Sequence, residues 1–378
     1  MAIDILYTEI GRGHPFYLDG VRDCLPETVS CRIDTVQACS HGLSQLGWHL
    51  ARHAYTLGSS TSDGALYSRL RAGQHRAQKG PLAKLLCRDI IRRYATRETP
   101  LLVAHPILVN ALKNRPQLYY QHGEVVAPPE SLITGAYTAF VPTSDVADQF
   151  INAGMQASQI CVTGLCVEDT LRQDASRCFD ARQARLKANA PLTCALYSSG
   201  AEPRPHVAAL TRFARAAMQT GHRLVVFCKH NGALHQAMRT FENDFGGQCS
   251  VATHSDRASL NENTVSRFPE FDALVAPSHE RSNWALGLGL PMCILGPCIG
   301  TFAPRNRDVL RKAGVACDMP DINTADVGKW FNDLHDSGAL ANMSSRGWGQ
   351  VAIDGFSTIA SHLMSDTGTA LQRHSSGR

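Results

Sequence analysis

The chain has 378 residues, 37 basic and 33 acidic, for a formal net charge of +4; 44% of residues are hydrophobic and 19% charged. That length suits two domains, each able to bury its own core, and the near-balance of charge excludes the strongly basic profile of a nucleic-acid binder. No apolar run reaches the ~18 residues of a membrane-spanning helix, and the N-terminal MAIDILYTEIGRGH reads as a strand rather than a signal peptide.

Ile3 to Tyr7 is a short apolar strand. The turn Thr8 to His14 carries Gly11 and Gly13, and Pro15 to Leu25 follows as a helix with Phe16, Leu18, Val21 and Leu25 on one face. Strand, glycine turn and helix form the opening unit of a doubly wound sheet, although the third glycine of a dinucleotide fingerprint is missing. An imidazole, with an ordinary pKa near neutrality, suits a general base at His14; a histidine that hydrogen-bonds a tight turn fits the same position. Ile33 to Val36 is a second strand. Ser40 to Leu57 is an amphipathic helix with Leu43, Leu46, Leu50 and Leu57 on one side, and Ser59 to Asp63 is loop. Leu66 to Tyr94 is helical in tendency and basic, carrying Arg69, Arg71, Arg76, Lys79, Lys84, Arg88, Arg92 and Arg93. A solvated helix surface and a local basic patch both fit it.

Leu101 to Ala104 is a buried strand, followed by His105-Pro106 and a helix over Ile107 to Lys113. Gln117 to Tyr120 is another, ending in Gln121-His122-Gly123-Glu124. A His and a Glu beyond one strand end make a second acid/base candidate set. Ala139 to Pro142 is a strand, Thr143-Ser144 caps the helix Asp145 to Ala153, and Gly154 ends it. Ile160 to Leu165 follows. Cys166 to Pro191 is polar, charged and helical, without a buried strand, and reads as a linker.

Leu192 to Ser198 starts a second sheet. Ser198 to Glu202 is a turn of small residues, and Arg204 behind it could add charge to a phosphate. Pro203 to Thr220 is a helix turning Val207, Leu210, Phe213, Ala214, Ala217 and Met218 inward. Leu224 to Phe227, Ser250 to Thr253, Ala273 to Ala276 and Met292 to Leu295 complete the strands. Polar loops at Ser278 to Asn283 and Thr301 to Asn306 each open a helix, and helix N-termini at strand ends favour anions. Thr324 to Leu334 and Ser344 to Leu363 are helical, and Ser365 to Arg378 is a polar tail expected to be disordered. The thirteen cysteines are scattered singly, with no CxxC pair. Reduced, buried thiols in a reducing cytoplasm are expected rather than a disulfide or zinc framework.

Ala285 to Pro291 and Asn306 to Ala316 resemble the donor half of GT-B glycosyltransferases. The similarity is to the monogalactosyldiacylglycerol synthase group and the lipid-linked UDP-GlcNAc transferase of peptidoglycan synthesis. Phe140 to Val167 resembles the end of their acceptor domain. Gly11, Gly13 and His14 match their Gly-x-Gly-His loop, His105-Pro106 is similar to a strand-end His-Pro, and Cys228 to Asn231 resembles a Cys-Gly-x-Asn turn. The resemblance implies an α/β fold of GT-B type, two Rossmann-like domains facing a central cleft. The expected order is an acceptor-side domain over 1–167, a linker over 168–191 and a donor domain over 192–343. A helix over 344–364 then crosses back to the first domain, before a disordered tail over 365–378.

The implied activity is transfer of a sugar from a nucleotide-sugar, a UDP-sugar, to a hydroxyl of a lipid or small-molecule acceptor. It is inverting and metal-independent, with no cofactor beyond the sugar nucleotide and no nucleic-acid partner. His14 is the implied catalytic base, with Glu124 as runner-up, and His105 and His122 are acceptor-side. The implied donor-binding residues are Gly13, Ser199, Gly200, Ala201, Arg204, His230, Asn231, Ser278, Glu280, Arg281, Ser282 and Asn306. Three positions depart from the pattern. Trp284 stands where the relatives place a ribose-binding Glu, leaving Glu280 as substitute; Ser278 and Lys229 stand where they have Gly. The implied location is cytoplasmic, with peripheral contact at the inner membrane face through residues 69–97. Two other readings stay open: a non-catalytic GT-B-like binding or partner subunit with a degenerate donor site, and a sugar-nucleotide epimerase.

Overall fold

The computed structural model describes residues 2–8, 13–60, 80–188 and 190–375. Gly11, Arg12 and the side chain of His14 lie outside the described residues, as do 61–79, which hold much of the basic stretch. Contacts divide the chain into two compact units. Among the described residues, 2–56, 80–169 and 352–375 belong to the first, and 170–351 form the body of the second.

The first unit opens with β1 (Ala2–Tyr7), α1 (Gly13–Asp23), β2 (Ser30–Thr35) and α2 (Gly42–Ser60). It continues with α3 (Pro81–Leu86), α4 (Arg88–Tyr94), β3 (Leu101–Val103) and α5 (Pro106–Ala111). Then come β4 (Leu118–Gln121), β5 (Thr138–Val141), α6 (Ser144–Asn152) and β6 (Ile160–Val162). The strands form one parallel sheet in the order β2-β1-β3-β4-β5-β6. Parallel strands covered by helices are buried on both faces, so their sequences are continuous apolar runs. Leu101, Val103, Leu118 and Tyr120 pack on one side with Trp48, Tyr94 and Phe150. Leu102 and Tyr119 alternate to the other side, with Leu18, Val21, Phe356, Ile359 and Leu363.

The second unit begins with α7 (Asp169–Gln173) and α8 (Ala175–Lys187), followed by β7 (Thr193–Tyr197), α9 (Arg204–Gln219) and β8 (Arg223–Lys229). Next are α10 (Ala233–Phe245), β9 (Cys249–His254), α11 (Arg257–Arg267), β10 (Ala273–Ala276) and α12 (Ser282–Gly287). It ends with β11 (Met292–Ile294), α13 (Phe302–Ala313), β12 (Ala316–Asp318), α14 (Thr324–Asp336) and α15 (Ala339–Gly347). Its parallel sheet runs β12-β11-β10-β7-β8-β9. The chain then returns to the first unit through α16 (Gly355–Ser375).

Three local outcomes differ from the sequence reading, each for a physical reason. The polar segment read as a linker is α7 and α8, packed into the second unit by Arg182. That guanidinium is fully buried and donates to the carbonyls of Phe271 (2.9 Å), Leu288 (2.8 Å) and Gly289 (3.2 Å). On α2, Leu43, Leu46 and Leu50 point outward, 54–67% exposed. Trp48 and Ser44 take the inward side because both donate to the carbonyl of Leu86 at the end of α3, at 3.0 and 2.5 Å. Such C-terminal carbonyls have no partner within their own helix. The single helix expected over Ser344 to Leu363 is two. Trp348 leaves α15 to stack on Phe179 (4.5 Å between centroids, 8° between planes), and Gly349 follows at φ +64°. α16 then continues to Ser375, through most of the expected tail.

Helix α16 lies against α1 so closely that a Cβ on Gly20 would sit 2.2 Å from the Phe356 ring. A Gly→Ala change inside a helix ordinarily stabilises by up to ~1 kcal/mol. Here Gly20→Ala is expected to destabilise by about 1–3 kcal/mol through overpacking, read as a lowered thermal midpoint. A raised midpoint would show that Phe356 yields freely.

Candidate functional site

In the second sheet, β7 lies centrally. The chain proceeds from it to β8 and β9 on one side, then crosses to β10, β11 and β12 on the other. The reversal falls between β7 and β10, and ligands of such sheets sit beyond the carboxyl ends of the strands flanking it. Two loops meet that description, Ser198 to Pro203 after β7 and Pro277 to Arg281 after β10.

The first loop is a tight turn closed by Glu202 N–H on Ser199 O (3.0 Å). Among the described residues nothing accepts from the N–H groups of Ser199, Gly200 and Ala201. Successive unbonded amides form an anion-binding concavity. Arg204, the first residue of α9, is exposed beside it. His206, one turn in, is fully buried with Nε2 2.9 Å from the carbonyl of Pro297. Burial pushes its pKa down to about 4, so it is neutral, with Nε2–H donating and Nδ1 left as an acceptor.

The second loop is built differently. The N–H groups of Ser282, Asn283 and Trp284 bond to the carbonyls of His279, Glu280 and Arg281. The opening amides of α12 are therefore satisfied within the loop. Ser278 is fully buried, its hydroxyl donating to Ala303 O (2.8 Å) and its carbonyl accepting from Asn306 Nδ2 (3.0 Å). Ser278 and Asn306 thus tie the loop to α13. Arg281 pairs with Glu280 at 2.8 Å and lays its guanidinium 3.8 Å above the Tyr197 ring. Trp284 is 3% exposed and meets Tyr197 and Phe268 edge to face, at 5.9 and 5.4 Å. It serves as an aromatic core residue there.

The turn after β8 resolves the departure at Lys229. Lys229 ends the strand, and the left-handed residue is Asn231 (φ +58°), whose N–H donates to His235 Nδ1 (3.0 Å). No glycine is required at 229. His230 is exposed, its N–H bonded to His254 O (2.9 Å).

Four buried polar atoms around the reversal have no bonding partner among the described residues: Ser198 Oγ, His206 Nδ1, Arg281 Nε and Ser282 Oγ. Buried polar atoms are rarely left so, and a ligand would satisfy them. His206 and Glu202 were missed by the sequence reading. The available signal was Glu-Pro-Arg-Pro-His at a helix start, where prolines fix the turn and polar residues cluster.

The first sheet reverses between β1 and β3. Gly13 and His14 open α1 after β1, and the His14 side chain is not among those described. His105 follows β3 and caps α5, Nδ1 accepting from Ile107 N–H (3.2 Å). His122 follows β4 and is buried, Nε2 2.9 Å from Val126 O, and burial pushes its pKa down to about 4. At that value it stays neutral and does not carry protons near neutrality. Glu124 is half-buried in the turn that follows. Among the described residues no three His, Cys, Asp or Glu side chains converge as a metal site, and no helix is long and apolar enough to cross a membrane.

No sequence profile of a known family matches the chain, and no curated protein matches it. Solved structures do. A UDP-glucosyltransferase from Polygonum tinctorium that glucosylates indoxyl superposes with TM-score 0.54 at 11% identity, covering 96% of this chain and 97% of that one. MurG of Acinetobacter baumannii gives 0.51 at 14%, covering 96% and 99%. The UDP-GlcNAc 2-epimerase of Neisseria meningitidis, bound to UDP-GlcNAc, gives 0.52 at 11%, covering 97% and 100%. At such identity the likeness is one of fold: this chain has the GT-B type of α/β architecture, two Rossmann-like units, in common with enzymes of UDP-sugars.

Proposed function

We propose that the chain is a glycosyltransferase that moves a sugar from a UDP-sugar to an acceptor hydroxyl. The observation that carries this reading is the set of unbonded amides and buried, unmet polar atoms at the strand reversal of the second sheet. The Ser199 to Ala201 amides, with Arg204, would hold the diphosphate and stabilise the charge that builds on it as the sugar departs. Arg281 and Glu280 would take the α-phosphate and ribose, because Trp284 is committed to the core. His14 would accept the acceptor's proton. The resemblance adds an inverting, metal-independent course on the cytoplasmic side. A lipid acceptor would suit the exposed leucines of α2 and the exposed Lys84, Arg88 and Arg92, which together favour an anionic lipid surface.

The test is a thermal-shift panel of UDP, GDP, dTDP, CDP and their sugars. A ligand at about a hundred times its Kd adds roughly 2.7 kcal/mol, and a selective rise with UDP or a UDP-sugar is expected. No response to any nucleotide would sink the reading in favour of a binding module with a degenerate donor site. The epimerase reading is supported by epimerases among the structures of like fold. Incubation with UDP-GlcNAc and no acceptor separates the two: an epimerised sugar nucleotide would displace the transferase reading. With an acceptor found, His14→Ala retaining the wild-type rate would remove His14 as the base.

A further inference from the structure

We propose that Glu202 is the positioning residue of the phosphate-facing loop, holding the Ser199 to Ala201 amides in place by filling the amino end of α10 with its own carboxylate. The ligand side of this inference rests on the nucleotide reading above.

Glu202 leaves the loop at φ +45°, a left-handed conformation unusual for a residue with a side chain. That turn sends its carboxylate across to the next strand–helix connection. One oxygen accepts from Lys229 N–H (3.2 Å) and the other from Leu234 N–H (3.1 Å). Leu234 lies in the first turn of α10, where amides lack partners within the helix and the dipole favours an anion. Glu202 N–H closes the loop on Ser199 O (3.0 Å). Two bonds to its carboxylate thus join the loop after β7 to the connection after β8, and a third, from its own N–H, closes the first loop. The fit extends to Gly232, where a Cβ would lie 2.4 Å from a Glu202 carboxylate oxygen.

The consequence is directional. A free amino end on α10 would compete for the ligand's phosphate. With a resident carboxylate there, the amino end of α10 is occupied, and the Ser199 to Ala201 amides stay unbonded among the described residues. Glu202 touches no ligand in this scheme and acts through the loop it fixes.

Two variants test it. Glu202→Ala removes the carboxylate. Gly232→Ala keeps it but displaces it, since the overlap is with the mobile end of a side chain and Gly232 has no left-handed φ. That second variant keeps the proposal testable where the first fails to fold. Hydrogen exchange on the ligand-free chains should show the Lys229 and Leu234 amides opening roughly tenfold faster or more in both. Affinity for UDP should fall about tenfold, while affinity for uridine, which has no phosphate, stays as in wild type. Glu202→Gln offers one acceptor oxygen where two amides need two, and should fall between.

Unchanged exchange in Glu202→Ala overturns the proposal. So does faster exchange with UDP affinity intact, or an equal loss for UDP and uridine, which would mark a general structural role. A wild-type chain that binds neither UDP nor pyrophosphate overturns the nucleotide reading instead. The exchange arm then still decides whether Glu202 holds the loop.

Discussion

Arg182→Met should destabilise the second unit by about 3–5 kcal/mol, the range for losing one partner of a buried charged network. The arginine is fully buried, and burial pushes its pKa down to about 10. It stays charged near neutrality because it donates to Phe271 O, Leu288 O and Gly289 O, with the Phe268 ring 5.5 Å from its guanidinium carbon. These carbonyls belong to the entrance to β10 and the exit from α12, the segments that set the second loop of the site. Methionine fills much of the volume and supplies none of the donors, so each carbonyl loses a charge-assisted bond. Lysine keeps the charge, but a single nitrogen cannot span the Phe271 and Leu288 sides together, and Arg182→Lys should recover only part of the loss. For a unit of this size the change corresponds to a fall of roughly 10 °C in thermal midpoint. A variant melting with the wild type would show that water can enter and take over the donation.

That arginine also marks where the sequence stopped being informative. The inner strands of both sheets lie in apolar runs readable by eye, because a parallel strand buried on two faces cannot hide its composition; the edge strands β2, SCRIDT and largely exposed, and β12, three residues long and absent from the sequence reading, do not. The loops after β7 and β10, where the candidate site is placed, were legible from the same signal. What decided the details lay far away in sequence. Arg182 sits in a segment so rich in charged and polar residues that it reads as linker, and its acceptors are 89 and 106 residues on. Trp284 looks like a lost carboxylate until Tyr197 and Phe268 are seen around it.

The α2 helix shows the same limit in reverse. Its leucine stripe is legible, but its direction is not. One carbonyl on α3, 38 and 42 residues away from its donors, turns Trp48 and Ser44 inward. Likewise, the turn after β8 needs a left-handed residue, and only the backbone shows that Asn231 provides it while Lys229 does not. Pattern reading finds elements and the edge where chemistry belongs. Which side chains spend their polarity on the framework, as Ser278 and Asn306 do, depends on long-range bonds.

Acid should destabilise the chain well before its carboxylates are protonated. His122 and His206 have an ordinary value of 6.5 pushed down to about 4 by burial, and His222 is lowered for the same reason. Burial holds each neutral, against the bonds that the rings donate, His122 to Val126 O, His206 to Pro297 O and His222 to Asn332 Oδ1, each of which favours the protonated ring. The folded pKa is depressed, so the unfolded chain binds the proton more tightly. The associated stability is therefore complete above about pH 6.5 and drains away as pH falls toward about 4. For His122 and His206 the loss at about pH 5 is roughly 2 kcal/mol each. His122 lies in the first unit and His206 in the second, so each unit loses a sizeable part of the 5–15 kcal/mol that typically holds a domain. Urea melts between about pH 7.5 and 5 should show the fall. His122→Leu should be less stable at neutral pH, since Val126 O loses its donor, but its stability should vary less steeply with pH, by as much as ~1.4 kcal/mol per pH unit. A wild-type curve that stays flat down to about pH 5 would mean that water reaches these rings and solvates the charge.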